Sequence, residues 1–177
     1  MKFKIEILYY QYHNNIINMI TFYKSSNCFS NWFRCHFDVQ RVYYNSSEQW
    51  MMAEKARLFH DREIEKKIMS SKSPREQKKL GRKIRGFREN VWQAHRLDIM
   101  VRGLMSKFSQ NLDLKRTLLA TGDREIVEAS PHDRIWGVGL AENDPRINDK
   151  SKWKGLNLLG ISLMCVRQTL RDQDIGS

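Results

Sequence analysis

Between Asn45 and Phe108 the chain keeps a helical period of apolar residues, broken only by residues that begin or end helices, so its fold must be built around several helices sharing a core. Asn45 stands as a cap, Glu48 falls at the third helical position, and Met52, Ala56 and Phe59 recur at helix spacing; a first helix ending near His60 is predicted. A short second helix follows Asp61, with Ile64 and Ile68 facing inward. Ser73, Pro74 and Glu76 supply an N-cap, a first-turn proline and a capping-box carboxylate, and Gly81 stops that helix after Leu80. The longest candidate covers residues 89–108, with Leu97, Val101, Leu104 and Phe108 on one stripe.

Further on, Asp113 is positioned to cap a short helix through Leu118 and Leu119, which Gly122 ends. A final helix from about Asn157 carries Leu159, Leu163, Val166 and Leu170 on one face. Strand candidates at 3–8, 39–44 and 125–130 do not alternate with the helices as a doubly wound sheet requires. The predicted class is therefore α+β, a predominantly helical single domain with a small β-sheet. A length of 177 residues suits one domain with a core of its own. Residues 1–20 read as an N-terminal extension, in which Phe3, Ile5 and Ile7 alternate like an edge strand; 21–172 form the domain and 173–177 a C-terminal tail.

The formal charge of +11 is concentrated between Glu54 and Lys107, where 16 basic residues face 7 acidic ones. Such a bias attracts a polyanion or the phosphates of a small nucleotide, and it also suits plain solvated helix faces. Apolar stretches are broken by charges well short of a membrane span, and the amino terminus lacks the pattern of a secretory leader, so a cytoplasmic protein with no membrane partner is expected. Cys28, Cys35 and Cys165 show neither zinc nor redox spacing and are expected as free thiols.

The chain has no Gly-rich lysine phosphate loop, no His-Glu-x-x-His and no serine nucleophile elbow. Glu48, taken alone, suits a capping carboxylate better than a catalytic one. Helical geometry nevertheless puts Glu48, Met52, Lys55 and Phe59 on a common face, an acid and a cation two turns apart beside apolar residues. Asp133 lies in Ser-Pro-His-Asp-Arg-Ile-Trp-Gly after a strand candidate, where a turn former is the simpler reading and a loop-borne catalytic group the sharper one. Trp92 and Trp136 suit the core, or a platform against a base or sugar. His36, His60, His95 and His132 show no metal-ligand spacing, and no metal or cofactor is expected. Two carboxylates flanking a ribose would have a purpose: breaking a bond at the anomeric carbon develops positive charge on the ring, and one carboxylate can also deprotonate the attacking water.

In order along the chain, Phe22-Tyr23, Phe29-Ser30-Asn31, Ser47-Glu48-Gln49-Trp50, Ala53-Glu54-Lys55-Ala56, Leu80-Gly81-Arg82 and Trp92 are followed by Lys107-Phe108-Ser109-Gln110-Asn111 and Leu118-Leu119-Ala120-Thr121-Gly122-Asp123. Glu128-Ala129-Ser130-Pro131 then leads to Asp133, Trp136-Gly137-Val138-Gly139, Trp153-Lys154-Gly155, Asn157-Leu158-Leu159-Gly160 and Leu163-Met164. This ordered set, over about residues 21–171, resembles the NADAR family, whose bacterial members are called YbiA-like. The resemblance implies an α+β fold and an N-glycosidase site in which Glu48, Trp92 and Asp133 matter most. It also implies that Ser30, Asn31, Lys55, Arg82, Trp136, Gly137 and Asn157 line the pocket, with Lys55 and Arg82 suited to phosphate. The implied substrate is a small phosphorylated nucleotide-like molecule, a ribosylaminopyrimidine phosphate of riboflavin synthesis or ADP-ribosyl-guanine, the latter bringing ADP-ribosylated nucleic acid as partner. Trp32-Phe33-Arg34-Cys35-His36 replaces the aromatic-proline version of that stretch in the family.

Two other classes compete. A module that binds ADP-ribose without cutting it would bind nucleotide tightly with no turnover, although carboxylates aimed at a phosphate ligand serve no binding purpose. A sequence-independent nucleic-acid binder would show steeply salt-dependent DNA affinity.

Overall fold

Six helices and four short strands order residues 19–175, the part of the chain that the computed structural model describes, and the class is α+β as predicted. The strand expected over 3–8 lies outside these residues. The described residues divide into two compact units, one running through 24–116 and the other made of 19–23 with 117–175.

The first unit begins with a loop and a hairpin, β2 (Phe37–Val39) against β3 (Val42–Tyr44), with Phe37 opposite Tyr44 and Val39 opposite Val42. One strand was expected across 39–44; instead Gln40 and Arg41 reverse the chain with φ of 52° and 67°. A two-residue turn with both φ positive matches the twist of paired strands, but it is normally announced by Gly or Asn, and neither is present here. Tyr44 carries the hairpin into the core, stacked on Phe37 at 5.8 Å and edge-on to Trp50 at 5.2 Å.

Helix α1 (Ser47–Leu58) is capped by Ser46, whose hydroxyl accepts from the Gln49 amide at 3.1 Å, while Gln49 Oε1 accepts from the Asn45 amide at 2.8 Å. The capping pair is thus Ser46 and Gln49, one residue beyond the Asn45 and Glu48 expected. Asn45 is used elsewhere: its side-chain amide donates to Ser71 O at 3.0 Å and its carbonyl oxygen accepts from Gln77 at 3.0 Å. Helices α2 (Arg62–Ser70) and α3 (Pro74–Gly81) start at Asp61 and Ser73, the caps expected from sequence, and α2 buries Ile64 and Ile68. Helix α4 (Glu89–Gln110) packs against α1, and Trp50 bonds to it through Nε1 to Ile99 O at 2.7 Å. Val101, Leu104 and Phe108 are buried on the expected stripe. In α5 (Leu112–Leu119) Asp113 sits inside the first turn rather than at the cap.

The second unit pairs β1 (Met19–Phe22) in parallel with β4 (Glu125–Glu128), Met19 opposite Glu125 and Phe22 opposite Glu128. Residues 129–157 are irregular apart from two 3-10 turns, Pro145–Asn148 and Lys150–Lys152, as their content of Gly, Asp, Asn and Pro predicts. Helix α6 (Leu158–Ile175) buries Leu159, Leu163, Val166 and Leu170 and packs on β4. It approaches so closely that a Cβ on Gly160 would lie 2.0 Å from Ile126 O. Backbone cannot yield as a side chain does, so Gly160→Ala should lower stability by about 2–3 kcal/mol in a denaturant titration.

Candidate active site

The Glu48 side chain is buried at 2% exposure in the first turn of α1, and its backbone amide donates to Asn31 O at 3.0 Å. Because Ser46 caps the helix at the Gln49 amide and Gln49 reaches back to the Asn45 amide, the cap gives no account of why a carboxyl should be buried at 48. Two turns along, Lys55 Nζ donates to Gly81 O at 3.1 Å and lies 4.1 Å from the centre of the Phe87 ring and 5.5 Å from that of Trp92. Burial pushes the Lys55 ammonium below its usual range; Glu89 and Glu48 oppose that shift and Arg82 adds to it. The first unit therefore gathers Glu48, Lys55, Arg82 and Trp92, four residues singled out from sequence, with Phe87 and Glu89 added to them.

Two anchors fix the loops that complete this cluster. Asp61 caps α2 and accepts from Arg85 through its backbone amide at 2.9 Å and Nη2 at 2.8 Å, which holds the Asp61 carboxyl well below the usual range. The segment between Arg82 and Phe87 is tied down in this way, and Phe87 is further set edge-on to Phe59 at 5.2 Å. Lys107, fully buried, donates to Cys28 O at 2.7 Å and Ser30 O at 3.3 Å, with the rings of Phe33 and Phe108 at 5.4 and 5.2 Å. Burial pushes its ammonium down to about 8, the nearby thiols of Cys35 and Cys28 opposing. The pinned loop carries Ser30 and Asn31, so it is braced on α4 by Lys107 and on α1 through Glu48. Among the described residues Asn31 Oδ1 and Ser47 Oγ, which flank Glu48 in this arrangement, are buried without a hydrogen-bond partner. Phe33, in the stretch that departs from the family pattern, supplies one of the rings beside Lys107.

In the second unit Asp133 Oδ1 accepts from the backbone amides of Ile135 at 3.0 Å and Trp136 at 2.8 Å, the turn-forming role its residue type suggests. Trp136 is buried, and Gly137 lies where a Cβ would come within 2.8 Å of Glu128 O. Asn157, at φ 52°, spends its carboxamide on β4, Oδ1 accepting from Glu128 N at 3.0 Å and Nδ2 donating to Ile126 O at 2.9 Å. Its backbone amide donates to Gly137 O at 3.2 Å. Trp136, Gly137 and Asn157 are thus joined around the end of β4 in the same unit as Asp133.

Lys107, Phe87 and Glu89 escaped selection from sequence. A lone lysine within the apolar stripe of α4 is the signal that could have found Lys107. Among the described residues no helix is long and apolar enough to cross a membrane.

The profile of the NADAR domain matches residues 21–171. An N-glycosidase of Acanthamoeba polyphaga mimivirus is 45% identical over 145 residues, covering 79% of this chain and 85% of that protein. A riboflavin biosynthesis protein of Vibrio vulnificus is 30% identical over 176 residues, 97% of this chain and 44% of that protein. The NMR structure of the E. coli protein YbiA superposes with a TM-score of 0.75 at 28% identity, over 95% of this chain and 94% of that one. Sequence and fold agree: this chain is a hydrolase acting on N-glycosyl bonds and belongs to the NADAR domain family.

Proposed function

We propose that the chain hydrolyses, without a metal and in the cytoplasm, the N-glycosidic bond of a phosphorylated ribosyl substrate. That substrate is a ribosylaminopyrimidine phosphate or ADP-ribosyl-guanine. The observation that carries this reading is the buried Glu48 carboxyl sharing one cluster with Lys55, Arg82 and Trp92. In the reaction, water oxygen bonds to the anomeric carbon as the carbon–nitrogen bond breaks, its electron pair leaving with the nitrogen. Glu48 takes the water proton, which then passes to the departing base. Trp92 shapes the pocket and Lys55 and Arg82 meet phosphate. The family resemblance assigns Asp133 to the positive charge on the ribosyl ring.

The test is direct. The purified protein is incubated separately with a ribosylaminopyrimidine phosphate and with DNA bearing ADP-ribosylated guanine, and products are followed by mass spectrometry. Free base together with a ribose phosphate or ADP-ribose is expected; tight binding of both substrates with neither cleaved would replace the hydrolase by a binding module. Asp133 has a test of its own. Asp133→Asn keeps an oxygen for the Ile135 and Trp136 amides but removes the charge, so turnover should fall by about 10²-fold at an unchanged melting temperature. If Asp133→Asn is fully active, the residue serves the turn alone.

A further inference from the structure

Three cations are buried among the described residues: Arg96, Lys107 and Arg167. Lys107 donates to two backbone carbonyls, and Arg167 bonds to Thr121 Oγ1 at 2.7 Å and Arg124 O at 2.8 Å. Arg96 is different. Its side chain is only 10% exposed, its ion-pair partner among the described residues, the Glu89 carboxylate, is 3.9 Å away and beyond hydrogen-bond reach, and its guanidinium nitrogens still touch solvent. A guanidinium so enclosed, facing water rather than held by a carboxylate, is free to receive an anion that enters from solvent.

Its position says which anion. Arg96 stands one turn beyond Trp92 on α4, and Glu89, its neighbour, also acts on Lys55. Lys55 in turn has carbonyl and ring contacts but no carboxylate bonded to it among the described residues. Glu48 and Lys55 are seven residues apart on α1, about 10 Å along the axis and on a common face. Arg82, which also acts on Lys55, is exposed and meets the same phosphate from the solvent side.

We propose that Arg96, with Lys55 beside it, is the anchor for the substrate's phosphate, so that a phosphoryl group on the ribose sets both affinity and the placement of the anomeric carbon at Glu48. The proposal rests on the hydrolase reading for its ligand class. A planar fork of N–H donors can grip a phosphate through two oxygens, which an ammonium cannot do.

Calorimetric titration of the full chain with ribose 5-phosphate and with ribose tests it without requiring turnover. The wild-type protein should bind ribose 5-phosphate; Arg96→Met should weaken that binding by about 100-fold and Arg96→Lys by about 10-fold, while affinity for ribose stays the same in all three. Melting temperatures accompany each titration, and if Arg96→Met fails to fold, Arg96→Lys alone carries the comparison. Wild-type affinity for ribose 5-phosphate in Arg96→Lys, an equal loss for phosphorylated and plain sugar, or no binding of ribose 5-phosphate by the wild-type protein would each overturn the assignment. Arg96-dependent binding in a protein that releases base from neither nucleotide substrate would instead sink the hydrolase reading and leave the anion site standing.

Discussion

Glu48→Gln is expected to lower kcat for base release by about 10³-fold while the protein stays folded. The substitution keeps the shape and hydrogen-bonding length of the side chain and removes the capacity to accept a proton. Ser46 and Gln49 cap α1 without help from residue 48, and the Glu48 backbone amide still reaches Asn31 O after the change. A neutral amide is also easier to bury than a carboxylate, so the melting temperature should hold or rise. Circular dichroism and single-turnover kinetics on the same preparation separate the two effects. Loss of activity accompanied by loss of the helical spectrum would mean a structural role; full activity with an intact spectrum would remove Glu48 from the chemistry.

The second large effect concerns stability and alkaline pH. The Lys107 ammonium titrates at about 8 in the folded protein against an ordinary value of 10.5, because burial disfavours its charge. Below pH 8 both folded and unfolded chains carry the proton, and the folded state bears the full penalty of a buried charge. Between pH 8 and 10.5 the unfolded chain holds a proton that the folded chain has released, so this residue's contribution moves in favour of the folded state as pH rises. Lys107→Met abolishes the titration. The stability of the wild-type protein relative to Lys107→Met should therefore rise by about 3 kcal/mol between pH 7 and 10.5. The carbonyls of Cys28 and Ser30 lose their donor in the variant, a deficit that does not vary with pH and shifts the whole curve without tilting it. Burial raises the Cys28 and Cys35 thiols and Lys107 opposes that shift, so both cysteines are replaced by serine in the two proteins compared. A flat difference between the two urea-denaturation series would show that Lys107 is not held in a charge-excluding environment.

Much of the fold can be read from residues whose signals are local. Asp61 and Ser73 announce their helices because a side-chain oxygen three residues before a backbone amide needs no distant partner. The start of α1 is harder: Asn45 and Ser46 are both competent caps, and the choice falls to Ser46 because Asn45 bonds with Ser71 and Gln77, 26 and 32 residues away. The hairpin turn at Gln40 and Arg41 was hidden for a related reason, since the strand pairing imposes positive φ on residues that do not favour it. Strand β1 has four residues and a partner more than a hundred positions distant, so no local period reveals it.

The site divides in the same way. Glu48 and Lys55 share a helix face that spacing alone exposes, whereas Arg96 and Lys107 look like ordinary members of a basic stretch until burial is known. Charge in a sequence carries no label of depth. Which of 16 cations are solvated and which two are enclosed depends on packing among α1, α4 and the loop before the hairpin. The resemblance, by contrast, gathered its residues from motifs, and four of them stand together in the first unit as a consequence of helix order and two loop anchors.

The pairing of residues 19–22 with 125–128 has a consequence for how the chain matures. During synthesis from the amino end, the edge that β1 must join does not exist until more than a hundred further residues have emerged, whereas residues 24–116 form a compact unit of their own. Closing so long a loop is slow compared with local helix formation. The helical segment should therefore acquire protease resistance while still attached to the ribosome, and the parallel ribbon should be among the last parts of the molecule to set.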